Sequence, residues 1–287
     1  MNVDNEECFT ITTLVKETPH MEITAVAYYS QRVLIGTKDG RLVLYDKRRG
    51  QMGPVASHNF DHRRKVEQIL ILKSNRCALV LADGVVSAIA ITDLQPLPSA
   101  FEGIGPVLKI CLNQRGPPLY RVCVIMKRKL MMFEYSEVNG EEQFQYVLLR
   151  SFSLHDTPID IVWYRNNILL AFRNKYQVMD DKTGSLSALE NVIPDSTRFD
   201  PIVKLLPRET ILVAAEDNSG AFINFKGEES NDRRLTWSKI PSQIAYSDPY
   251  VFSLVEGVGI EIHSLIDGSL QKVLANIIYI IFFVNIF

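Results

Sequence analysis

The side chains here that could do chemistry are five histidines, four cysteines and one adjacent pair of aspartates. His20, His58, His62, His155 and His263 are spread along the chain. Only His58 and His62 have a ligand-like spacing, and Asn59 and Asp61 between them mark a polar loop rather than a metal-binding helix face. His155-Asp156 precedes Pro158, and an aspartate there bonds its own backbone in a turn. Asp180-Asp181 has the form of a general acid–base pair, but Lys182-Thr183-Gly184 follows at once and reads as a strand-connecting turn. Cys8, Cys77, Cys111 and Cys123 include no C-x-x-C spacing of a zinc or redox site. Three of them lie in apolar runs, where a free thiol packs as a small hydrophobe, as expected for reduced core cysteines in a cytosolic protein. The chain has no G-x-S-x-G elbow, phosphate-binding loop, dinucleotide fingerprint or H-E-x-x-H. No catalytic, cofactor-binding or metal-binding residue is therefore assigned, and a non-enzyme without a cofactor is expected.

Basic residues cluster at Lys47-Arg48-Arg49, His62-Arg63-Arg64-Lys65, Lys127-Arg128-Lys129 and Arg233-Arg234. Such runs usually decorate solvated turns. If the first two converged on one face, they would suit anionic lipid or an acidic partner. The formal net charge is −2 and no aromatic residues interleave with the clusters, so nucleic acid is not an expected partner. Trp163 and Trp237 sit in strand patterns and read as packing residues.

What must position these side chains is a repeat. Six apolar hairpins start at Arg32, Arg76, Arg121, Asn167, Thr210 and Tyr250, roughly 40–46 residues apart, the period of propeller blades. Each is preceded by a candidate inner strand: ITAVAYY, KVEQILIL, PVLKICLN, PIDIVWY, PIVKLL and QIAYS. Candidate outer strands are FQYVLLRSFSL, GSLSALENV, RLTWSK and GSLQKVL. Lys38-Asp39-Gly40, Ala82-Asp83-Gly84 and Gly257-Val258-Gly259 supply turn residues that tolerate positive φ. The glycine- and proline-bearing stretch between the first two basic clusters reads as a connection. Lys226 to Arg234 and Asn139 to Gln143 read as solvated loops. Charged residues on the inner strands are scattered exceptions: Glu67, Lys109, Asp160 and Lys204. The expected fold is all-β, a β-propeller of about six recognisable blades.

The stretch CFTITTLV, from Cys8 to Val15, is a further strand without a unit of its own, and is expected to belong to an incomplete seventh blade. From Asn276 onward every residue except Val284 is Ile, Phe, Asn or Tyr, the amino acids of A/T-rich codons. That segment reads as translated noncoding sequence; a buried last strand and a membrane anchor are the alternatives. At about 13 residues it is short of the roughly 20 that span a bilayer as a helix. The expected organisation is a truncated propeller over residues 1–274 and an apolar tail outside the family over 275–287. Exposed blade edges would make such a product poorly soluble. The acidic N-terminus, MNVDNEECFT, lacks an apolar signal core.

Several segments resemble a known family. VLIGTKDGRLVLYD (Val33 to Asp46) and RVCVIMKRKLMMFEY (Arg121 to Tyr135) are similar to hairpins of citron-homology (CNH) domains in endolysosomal tethering subunits. These are the transforming growth factor-β receptor-associated protein and vacuolar protein sorting-associated protein 39 family, of the CORVET and HOPS complexes. KVEQILILKSNRCALVLADG with LQPLPS, PIVKLLPRETILVAA and GIEIHSLIDG resemble the receptor-associated type. LTWSKIP and DDKTGSLSAL resemble the HOPS type. The resemblance spans Cys8 to Leu274. It implies a non-enzymatic interaction module in vesicle-mediated transport and endosome fusion. The implied partners are other CORVET or HOPS subunits, Rab-type small GTPases and receptor-signalling proteins. The implied location is cytoplasmic, peripheral on early endosomes or on late endosome and lysosome membranes. CNH domains also occur in Rho-pathway proteins, so a regulatory module that binds Rho- or Rag-type GTPases is the alternative.

Overall fold

The computed structural model describes residues 21–48, 51–61, 64–72, 76–98, 100–101, 103–113, 121–136, 145–173, 175–189, 201–215 and 217–275. They form six four-stranded antiparallel sheets, each with its strands in chain order. Blade 1 holds β1 (Ile23–Tyr29), β2 (Arg32–Thr37), β3 (Arg41–Arg48) and β4 (Gln51–Asn59). Blade 2 holds β5 (Val66–Leu72), β6 (Cys77–Ala82), β7 (Val85–Ala90) and β8 (Pro96–Leu97). Blade 3 holds β9 (Val107–Leu112), β10 (Arg121–Met126), β11 (Lys129–Ser136) and β12 (Gln145–Ser153). Blade 4 holds β13 (Asp160–Tyr164), β14 (Asn167–Phe172), β15 (Lys175–Asp180) and β16 (Leu186–Ala188). Blade 5 holds β17 (Val203–Leu205), β18 (Ile211–Ala214), β19 (Ser219–Ile223) and β20 (Glu229–Thr236). Blade 6 holds β21 (Gln243–Ser247), β22 (Tyr250–Val255), β23 (Gly259–Ser264) and β24 (Leu270–Ala275). The fold is the all-β propeller that the repeat implies.

The second strand of blades 1 to 5 is covered on both faces along most of its length, and its sequence shows it, whereas β22 of blade 6 alternates between half-buried and buried positions. CALVLA in β6 and ILVA in β18 are buried at every position, so they read as continuous apolar runs. β24, at an outer edge, alternates between exposed and half-buried positions. The tight hairpins need positive φ. Ser30 and Gln31 supply it between β1 and β2, as do Asp83 and Gly84 between β6 and β7.

The core is a series of layers between blades. Leu34, Leu42 and Leu44 of blade 1 pack on Val66 and Val80 of blade 2. Leu79 and Leu81 meet Val122, Val124 and Phe133 across the next boundary. Cys123, Ile125 and Met132 meet Trp163, Leu170 and Phe172. Leu169 and Tyr176 meet Ile211 and Val213. Leu212, Leu235 and Trp237 meet Ile244 and Val251. Both tryptophans are thus packing residues, 0% and 2% exposed.

Three expectations need correction. The stretch read as a connection is the nine-residue strand β4, which pairs along β3 with a register shift between Leu44 and Tyr45. Pro54 is tolerated there because the strand is an outer edge, and an edge residue need not donate to the ladder. The mixed-charge segment from Lys226 is mostly β20, the outer edge strand of blade 5, a position that tolerates a polar sequence. The inner-strand charges are not all scattered: three of the four converge, as shown below. The seventh-blade segment Cys8 to Val15, the tail beyond Ala275 and the loop Asn139 to Gln143 lie outside the described residues.

Candidate functional site

Successive inner strands are joined near their starts by polar links, each from one blade to the next. Thr24 Oγ1 donates to Val66 O at 2.5 Å. Gln68 Nε2 donates to Ile110 O at 2.7 Å, and its Oε1 accepts the Ile110 N–H at 3.0 Å. Lys109 Nζ is hydrogen-bonded and ion-paired to Asp160 Oδ1. Asp160 Oδ2 accepts the Val203 N–H at 2.9 Å, and Oδ1 accepts the Ile161 N–H at 2.9 Å. Register shifts in β1, β5 and β9, between Ile23 and Ala25 and opposite the Ile125/Met126 and Ala82/Leu81 steps, come just before or at these linking positions. An extra residue in a strand re-aims the side chains that follow it.

This end of the barrel holds a cavity of about 530 Å³, lined by Lys109, Asp160, Val203, Lys204, Ser242 and Gln243 among others. Lys204 reaches it because Val203 and Leu205, its neighbours in β17, face the core between blades 4 and 5, and strand alternation turns Lys204 the other way. Burial holds the Lys204 ammonium below the usual lysine range; Asp160 opposes that shift and Lys109 reinforces it. Asp160 is committed to Lys109 and to two backbone N–H groups, and among the described residues no carboxylate lies within ion-pair distance of Lys204. The cluster therefore carries one more cation than anions. Glu67 is exposed on β5 and takes no part.

The other singled-out residues do structural work. Asp180 Oδ1 accepts the backbone N–H groups of Lys182 and Thr183, at 3.0 and 2.7 Å, and the Thr183 hydroxyl. These bonds hold its carboxyl below the usual range. Asp181 is buried and faces the Arg121 guanidinium at 3.6 Å; burial pushes its carboxyl up and Arg121 opposes. The pair is the turn that its sequence suggested. Asp156 Oδ1 accepts the Thr157 N–H. His58 stacks edge-on to Phe60 at 4.8 Å beside a smaller cavity of about 220 Å³. His20, His62 and Cys8 lie outside the described residues, and no cluster of three metal-ligating side chains occurs among those described. Cys77, Cys111 and Cys123 are free; burial pushes the first two thiols up to about 12 and the third well up. Such thiols are poor nucleophiles.

The basic clusters separate. Lys47 pairs with Met52 at one end of β4, whereas Arg64 follows its other end, a strand length of roughly 25 Å away. The Lys127-Arg128 tip instead joins the cavity's end of the propeller. Met126 and Lys129 flank that tip, and Met126 also pairs with Val107, two residues before Lys109. Likewise Phe172 and Lys175 close the next tip, beside the Ala171–Asp160 pair. Sequence reasoning missed the cavity because nothing in the spacing of Lys109, Asp160 and Lys204 shows that they share an axis.

Comparison with known proteins adds the family. The CNH domain family matches residues 29–279. The human Vam6/Vps39-like protein is 24% identical over 260 residues, covering 82% of this chain and 28% of that protein. The zebrafish (Danio rerio) transforming growth factor-beta receptor-associated protein 1 homolog is 27% identical over 198 residues, covering 69% of this chain and 22% of that one. The chain thus spans about a quarter of the length of these curated relatives. Among solved structures, the AfRom2 CNH domain superposes with a TM-score of 0.69 at 15% identity, over 92% of this chain and 88% of that one. That likeness concerns the fold.

Proposed function

This chain belongs to the CNH domain family, and from that premise we propose that it is a non-enzymatic interaction module of a vacuolar or endosomal sorting protein. The observation that carries the reading is that the match runs from the end of β1 through the sixth blade, residues 29–279, and that the curated relatives resembling this chain are of the Vps39 and receptor-associated types. A propeller of stacked blades offers two rigid rims of loops and hairpin tips, a surface suited to protein partners.

The finer reading is a tethering role. The module would contact CORVET or HOPS subunits and Rab-type small GTPases, at the surface of early endosomes or of late endosomes and lysosomes. Among the described residues no helix is long and apolar enough to cross a membrane, and peripheral attachment through partners fits that.

Affinity capture from a cell lysate with the full chain as bait, read by mass spectrometry, tests this. Enrichment of endosomal sorting subunits or Rab GTPases supports the reading and identifies the complex. Enrichment of Rho- or Rag-pathway proteins would favour the regulatory alternative. Chaperones alone would overturn both.

A further inference from the structure

We infer that the axial cavity between the inner strands of blades 3 to 6 is a carboxylate-binding subsite, which seats an acidic group of a protein partner against Lys204. The inference rests on the propeller being a binding platform and names the chemistry of what is bound.

Three observations carry it. The first is the charge inside. Lys109 and Lys204 share the cavity with a single carboxylate, and Asp160 is already engaged by Lys109, Ile161 N–H and Val203 N–H. Lys204 is left with a partly desolvated ammonium, and a desolvated charge gains more from a counter-ion than one in bulk water does. The second is the charge count. One surplus cation is neutralised by one carboxylate, whereas a dianionic phosphate would leave the site negative. The third is the rim. The tips of blades 3 and 4 at this end carry Lys127, Arg128, Lys129, Arg173 and Lys175 with Asp156 in the same sector, while the tips of blades 5 and 6 carry the acids Asp217 and Glu256. The basic side of the rim, over blades 3 and 4, steers an acidic segment towards the cavity. The volume, about 530 Å³, takes a side chain and its flanking backbone. A glutamate or aspartate side chain and a chain-terminal carboxylate offer the same group.

The full chain, labelled with carbon-13 at lysine Cε, would be titrated at constant ionic strength with four probes. These are Ac-Gly-Glu-Gly-amide, its glutamine counterpart, Ac-Gly-Gly-Gly with a free C-terminus, and inorganic phosphate. The expected result is a saturable shift of the Lys204 resonance, assigned through Lys204→Met, with one or both carboxylate probes and none with the glutamine peptide. Which carboxylate saturates first tells a side chain from a terminus. Lys204→Met should abolish saturable binding without changing the circular dichroism. Should that variant misfold, the double variant Lys127→Glu/Arg128→Glu, confined to an exposed tip, should weaken the glutamate peptide by about five-fold or more. No saturable response, equal binding by a folded Lys204→Met, or phosphate binding at least as tightly as the carboxylates would overturn the inference. Because the measurement uses purified protein, its failure is separable from a failed capture of sorting subunits.

Discussion

The Trp237 indole donates its Nε1–H to Ser253 Oγ at 2.9 Å, and both residues are buried, 2% and 0% exposed. The bond joins blade 5 to blade 6 inside an apolar layer. Ser238 N–H donates to Glu261 Oε1 at 3.1 Å alongside it. Inner-strand links tie blades 1 to 5; the boundary of blades 5 and 6 is tied further out instead, where the chain leaves β20.

Ser253→Ala should destabilise the protein by about 1–3 kcal/mol, because it strands a buried indole N–H. Trp237→Phe with Ser253→Ala should cost less than the sum of the single changes. Urea unfolding of the two singles and the double checks this; strict additivity would mean that the bond contributes nothing.

Gly36→Ala should cost about 1–3 kcal/mol through overpacking. A Cβ at Gly36 would lie 2.3 Å from Val66 Cγ1, at the contact of blades 1 and 2. Adding Val66→Ala should recover part of that loss relative to additivity, as read by the same unfolding curves.

Acidification should weaken the fold through buried histidine. His263 is 1% exposed, its Nε2–H donates to Thr236 O at 3.0 Å, and its Nδ1 is buried without a partner. Protonation would put an N–H where nothing accepts it, and burial holds the imidazole below its usual 6.5, with Glu261 opposing. His58 is shifted the same way, by burial, with Asp61 opposing. The unfolded chain therefore binds more protons than the folded one between the depressed folded values and about 6.5. Stability should be fully retained above that value and fall as pH drops through the window. The urea midpoint measured from pH 8 to pH 5 checks this, and His263→Gln should flatten the slope.

Leu148→Lys should reduce self-association. Val147, Leu148 and Leu149 are 50%, 47% and 40% exposed on β12, a nine-residue outer edge without proline or glycine. The other outer edges are broken by Pro54 in β4, cut to two residues in β8 or three in β16, or charged in β20 and β24. Light scattering at equal concentration checks the prediction, with unfolding curves unchanged.

The sequence by itself determined the blade. Apolar hairpins at a constant interval, with turn residues that accept positive φ, admit few other folds, since period and turn chemistry are local and survive in one dimension. The Asp180-Asp181 turn and the packing roles of Trp163 and Trp237 were legible for the same reason. The edge strands β4 and β20 were not, because a strand paired on one side needs no apolar alternation and tolerates Pro54 or a run of charge. The axial cavity was illegible for a stronger reason. Lys109, Asp160 and Lys204 lie on three different blades, dozens of residues apart, and only the curvature of the propeller brings the starts of their strands together. Tertiary structure alone also decided that one lysine finds its carboxylate while the other is left to face the cavity.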